Sequence, residues 1–147
     1  MPWRYLDDRA IADVAFSATG GTLEELFRDA VDALVNAMVA DLSTVIPRES
    51  KTVSLAAESV EMLLFELLQS VIFAKDADGM LLRIDTLRIT ERGAPASKSA
   101  TLSATLRGER IDPRRHELQA DVKAVTLYRY RVEAVQDGWE AEIVLDV

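Results

Sequence analysis

The apolar residues of this chain change period several times, and each change marks an element. WRYLDDRAIADVAFSAT, residues 3–19, reads as an extended entry and then a strand. In it Ala12, Val14 and Phe16 share one face, and Asp13, Ala15 and Ser17 share the other. Gly20 and Gly21 break the strand. TLEELFRDAVDALVNAMVADL then places Leu23, Leu26, Phe27, Ala30, Val31, Leu34 and Met38 on one helical stripe. Thr22 followed three residues on by Glu25 forms a capping box at its start.

SKTVSLAA, residues 50–57, is a short strand that leads into a second helix, ESVEMLLFELLQSVIFAKDADG. There Val60, Leu63, Leu64, Leu67, Leu68, Val71 and Ile72 keep helical spacing. Met62, Phe65 and Phe73 widen the apolar surface almost all round, the mark of a helix buried on more than one side. Gly79 is a turn residue. Four strand-like stretches follow: residues 80–90, 98–109, 118–135 and 139–147. GAPAS and DPRRH are the loops between them, and QDG is a hairpin turn. Two helices among about seven strands, the last four in succession, predict an α+β domain spanning 1–147, with the helices packed on a mainly antiparallel or mixed sheet.

The closing stretch, GWEAEIVLDV, is one such strand, with Trp139, Ala141, Ile143, Leu145 and Val147 alternating against Glu140, Glu142, Val144 and Asp146. The Asp146 side chain and the α-carboxylate of Val147 therefore fall side by side at the end of an element that the core should hold still.

A chain of 147 residues buries enough surface to fold without staples. The absence of cysteine excludes disulfides, thiolate metal sites and cysteine nucleophiles. Neither a signal peptide nor an apolar run of membrane-spanning length is present, so the expectation is a soluble cytoplasmic protein. A net charge of −8 argues against direct nucleic-acid binding as the main activity, because such binding rests on Lys and Arg neutralising phosphates. Docking on a basic protein, or solubility alone, accounts for the excess of acids.

Few motifs carry chemistry. DADG at 76–79 starts like a calcium loop, but its twelfth position is Leu87 rather than Glu, so it reads as a turn. His116 is the only histidine, which precludes a His-rich zinc site and makes any Ser–His–Asp triad depend on it. Gly20 and Gly21 precede a capped helix without a phosphate-loop lysine. In ADVKAVTLYRYRV, alternation puts Val122, Ala124, Thr126, Tyr128, Tyr130 and Val132 on one face. Lys123, Val125, Leu127, Arg129 and Arg131 take the other, either as a solvated basic face or as an anion-contacting strip.

IADVAF…GTLEELFRDAVDAL, VEMLLFELLQSVIF, GERID…RHELQADVKAVT and W.AEIVLDV occur in that order over nearly the whole chain. Together they resemble the archease family, with VKAVT and the closing LDV the most specific parts. The resemblance implies a small acidic α+β protein that assists the tRNA-splicing RNA ligase, the manganese- and GTP-dependent enzyme that joins RNA ends. It implies an accessory, not an enzyme, promoting guanylylation and turnover of the ligase through a metal-binding tip.

The family's metal ligands fall on Asp13, Asp146 and the terminal Val147. The cofactor so implied is a divalent cation, Ca²⁺ or alternatively Mg²⁺, because hard cations take six to eight oxygen ligands. By alternation both aspartates lie on the polar faces of their strands, so adjacent strands would bring them together. Three clustered carboxylates repel one another unless a cation or protons intervene. The sequence departs from the family at two points: Asp8 and Tyr128 stand where relatives often carry His, and Asp8 would add a further oxygen. Competing readings are a metal-dependent hydrolase using Asp8, Asp13 and His116, and a chaperone-like binding module, for which a buried second helix would leave no apolar groove.

Overall fold

A glycine and two hydroxyl caps set the helix boundaries. In the computed structural model, which describes residues 2–6, 13–92 and 99–147, helix α1 (Leu23–Met38) begins where the Thr22 hydroxyl accepts the Glu25 N–H at 3.1 Å. Glu25 reaches back to the Gly21 N–H, at 2.8 Å, rather than to that of Thr22. Helix α2 (Val60–Asp78) is capped by Ser59, whose hydroxyl accepts from the Met62 N–H, and ends at Gly79 in the left-handed conformation. The first helix stops short of the sequence expectation. Val39 turns extended to bridge Leu118, and the Asn36 amide donates to the carbonyls of Val39 and Ala40.

A short 3₁₀ helix (Leu42–Thr44) and seven strands complete the described elements: β1 (Trp3–Leu6), β2 (Asp13–Gly20), β3 (Glu49–Ala57), β4 (Met80–Arg92), β5 (Ser99–Arg110), β6 (Ala124–Val135) and β7 (Gly138–Asp146). They form two sheets, ordered β1-β2-β7-β6 and β3-β5-β4, with every pairing antiparallel. The helices lie between them. α1 touches β1, β2 and β7 on one side and β4 on the other, while α2 touches β6 of the first sheet and all three strands of the second.

That position explains why α2 is apolar almost all round: Leu63, Leu64, Leu67, Leu68 and Val71 are fully buried. The burial is incomplete, because Phe73 stays 63% exposed on a groove between β3 and α2. No described helix is long and apolar enough to cross a membrane.

The longest predicted strand needs correction. Residues 118–123 are not strand, and β6 begins at Ala124. Between Thr126 and Arg131 the pairing with β7 slips, and Arg129 adopts a positive φ of 55°. The bulge inverts the alternation beyond it, so Val125, placed by strict alternation on the outer face, is buried in the core together with Val132. Leu127, Tyr128 and Arg129 stand out into solvent at the bulge.

Candidate metal centre

The core faces of β2 and β7 carry Phe16, Ala18, Ile143 and Leu145, all of them fully buried. Alternation then turns Asp13 and Asp146 to the outer face, and the antiparallel register sets them directly opposite one another. Cross-strand neighbours of this kind have Cβ atoms about 4.5–5.5 Å apart, close enough for like charges to destabilise the sheet. The next pair along the same face, Ala15 and Val144, is buried at 1% and 0% exposure. The half-buried carboxylates thus border a dry apolar floor, where their repulsion is screened less than in bulk water.

The carboxylate pair has no Lys or Arg partner among the described residues. Farther along the same face the acids are compensated: Arg131 binds Glu133, contacts Glu140 at 2.8 Å and lies 3.6 Å from Glu142. Thr126, opposite Val144 on this face, has a buried hydroxyl with no hydrogen-bond partner among the described residues.

The end of β7 is held from both sides. β2 flanks Asp146 on one edge and Ala124 of β6 on the other, and the Lys123 N–H donates to the Asp146 carbonyl at 2.8 Å. α2 fixes the stretch that supplies this bond. Lys75, in its last turn, donates to Asp121 and to the Val122 carbonyl, each at 2.7 Å, and the Gln69 side chain accepts the Val125 N–H at 2.9 Å. Burial alone would lower the Lys75 pKa, but the hydrogen bonds and charges of Asp121 and Asp76 prevail and raise it. Asp121 is correspondingly held below the usual carboxylate range by Lys75. Val147 is half-buried and packs on the core, continuing the inward row of β7 beside the outward Asp146.

Both aspartates offer hard oxygen donors from opposed positions, and Val147, the third ligand the sequence reading expects, adjoins Asp146. That donor chemistry suits Ca²⁺ or Mg²⁺ and not a softer metal. Among the described residues no group of three or more His, Cys, Asp or Glu side chains is placed to hold a metal, and Asp13 and Asp146 stand there as a pair. Asp8, the further oxygen expected from the sequence, lies outside the described residues.

His116 is not brought to this pair. Its ring is buried against Glu109, with Nε2 at 3.0 Å from the Glu109 carboxylate and 3.1 Å from the Thr44 carbonyl. The Asp112 N–H donates to Nδ1 at 2.9 Å, which leaves the proton on Nε2 and a neutral ring satisfied on both nitrogens. Burial would raise the pKa of Glu109. Hydrogen bonds from Arg115, the Ile46 N–H and His116 outweigh it and hold the carboxyl at about 2. This is a structural knot that ties the 112–116 loop and residues 44–46 to the end of β5. Tyr128 sits exposed at the β6 bulge with the Arg129 guanidinium 5.5 Å from its ring centre.

Sequence reasoning missed Lys75, Gln69 and the backbone of Lys123. A cation in the last turn of α2 was visible, but its partner lies 46 residues away.

The fold and the site define a class: a helical layer between two antiparallel sheets, with two carboxylates opposed at a strand end. Comparison with known proteins agrees with the fold. The model of the Archease protein family matches residues 3–147, and the chain belongs to that family. It is 34% identical over 139 residues to protein archease of Thermococcus gammatolerans, covering 92% of this chain and 93% of that protein. It is 31% identical over 147 residues, all of both chains, to protein archease of Methanopyrus kandleri. The solution structure of Methanobacterium thermoautotrophicum protein 1598 superimposes with a TM-score of 0.80 at 29% identity, covering 99% of each chain. An archease crystal structure from Thermotoga maritima, at 22% identity and a TM-score of 0.64, shares the fold.

Proposed function

We propose that this chain is an accessory of the GTP-dependent tRNA-splicing RNA ligase, promoting guanylylation and turnover of the ligase without an active site of its own. Membership of the archease family supports the role, and the observation that carries the metal part of the reading is the direct opposition of Asp13 and Asp146 across β2 and β7. Asp13, Asp146 and the Val147 α-carboxylate would hold a divalent cation, Ca²⁺ or Mg²⁺, which supplies positive charge at an otherwise acidic tip.

The chain's own residues set the geometry. The β2–β7 register places the two carboxylates, and the Lys75–Asp121 and Gln69–Val125 bonds fix the strand entry that holds Asp146. With the cation bound, mutual repulsion becomes shared attraction, and the tip presents a rigid surface to a protein partner.

The test is a titration of the protein into its cognate ligase with GTP and Mn²⁺, following guanylylation and multiple turnover. The expected result is faster turnover with the wild type, a weaker effect with Asp13→Asn, and no ligation by this protein alone. Ligase kinetics that stay flat across the full titration would overturn the reading.

A further inference from the structure

The charge of this protein is unevenly divided between its two outer faces, which net composition conceals. On the outer face of the first sheet the Asp13–Asp146 pair, Glu133, Glu140 and Glu142 outnumber Arg4 and Arg131. On the second sheet, the β3–β5 and β4–β5 registers define the outward rows from Ser50 to Ala56, Ser99 to Arg107 and Arg83 to Arg92. Every outward position in register there is Ser, Thr or Arg, apart from Ala56. Glu91 pairs with Ala100 and so turns to the helical side, and Asp85 sits in the bulge without a register partner.

Arg83 is neutralised by Asp32 at 2.9 Å. Arg88 and Arg92 have no acidic partner among the described residues, and Arg107 donates only to the Pro47 carbonyl. A shallow depression of about 390 Å³ on this face is lined by Arg88, by the hydroxyl residues Ser54, Thr90, Thr101 and Ser103, and by Leu55, Ala56 and Leu102. Arg88 lies about 13 Å along the strand direction from both Arg92 and Arg107. Among the described residues, none of the exposed large apolar side chains is on this face.

We propose that this face is a docking surface for a base-paired RNA stem, contacted through phosphates and 2′-hydroxyls. Arginine and Ser/Thr hydroxyls are the usual phosphate and sugar contacts, and a hydroxyl matches the 2′-OH as both donor and acceptor. A protein partner is disfavoured, because interface cores gather aromatic and apolar residues and are poor in serine. A single strand is disfavoured as well, since the face offers no aromatic ring for bases to stack on. Recognition would therefore follow shape and backbone, independent of sequence. The inference goes beyond the accessory reading: it uses the opposite sheet, and its test contains no ligase, so either can fail alone.

The experiment measures fluorescence anisotropy of a labelled RNA duplex of about 16 base pairs with the intact protein at about 50 mM salt and upward. Wild type should bind, with tighter binding to the RNA duplex than to a DNA duplex of the same sequence or to a uridine single strand. Arg88→Ala/Arg92→Ala/Arg107→Ala should weaken binding at least roughly tenfold and lower the salt slope by about 1 per arginine removed. The triple Arg→Lys variant should keep most of the affinity. Arg4→Ala/Arg114→Ala/Arg129→Ala, with the same net charge, should bind like wild type. No binding at low salt overturns the proposal, as does an equal loss in the control triple variant. Equal affinity for DNA removes the RNA assignment, and poly-glutamate binding as tight as RNA reassigns the face to an acidic protein.

Discussion

Replacing Asp13 with asparagine should make the metal-free protein more stable and the metal-bound protein less so. The side chain keeps its shape and loses only its charge. Two unit charges about 5 Å apart repel by about 0.8 kcal/mol in water and about 3 kcal/mol at an effective dielectric constant of 20. Asp13 and Asp146 are half-buried beside the dry Ala15–Val144 pair, so about 1 kcal/mol is a conservative value for the relief. For a chain of this length that is about 2–4 °C in melting temperature. Calcium affinity should fall at least about tenfold, or about 1.4 kcal/mol, because a hard site loses one of its few charged ligands. Thermal melts in chelator and in excess Ca²⁺, with a calorimetric titration beside them, read both effects. A variant that melts below wild type in chelator would show that the opposed carboxylates are not in conflict. Equal Ca²⁺ affinity would remove Asp13 from the site.

Three further outcomes are expected. Extending the chain beyond Val147 converts its α-carboxylate to a neutral carbonyl. Ca²⁺ binding should weaken with little change in metal-free melting, whereas an N-terminal extension should do neither, and unaltered binding in both forms would discharge the terminus as a ligand. Lys75→Met removes the bonds to Asp121 and Val122 from a side chain only 8% exposed. It should cost about 1–3 kcal/mol in urea unfolding and also weaken Ca²⁺ binding, so a stability loss with unchanged metal affinity would uncouple that anchor from the site. Glu109 has a pKa lowered in the folded state, so its contribution to stability is complete above about pH 4.5 and is lost as pH falls towards about 2. Glu109→Gln should destabilise the protein at pH 7 and flatten the fall in stability over that acid range, and identical pH profiles for the two proteins would contradict the assignment.

Much of this protein is local, and what is local was legible in the chain. Thr22 and Gly79 are read from a few neighbours, because caps are bonds between residues three or four apart. The alternation in β2 and β7 likewise announced which side of each strand faces the core, and it put Asp13 and Asp146 on polar faces. The family resemblance supplied their grouping, but neither periodicity nor spacing shows that β2 pairs with β7 in the register that sets the two aspartates opposite each other. That pairing is chosen by how Phe16, Ala18, Ile143 and Leu145 pack together on α1 across most of the chain's length. The β6 bulge escaped for a related reason. Strict alternation assumes an unbroken ladder, and the slip between Thr126 and Arg131 is a property of β6 against β7, not of β6 itself. The bonds from Lys75 and Gln69 to residues 121–125 join segments remote in sequence, so only the assembled helix layer reveals them. Charge shows the division most plainly: the chain alone yields one net value, −8. The packing of two sheets around two helices decides the rest: acids outnumber arginines on the outer face of the first sheet, and the outward rows of the second carry arginine and hydroxyl residues.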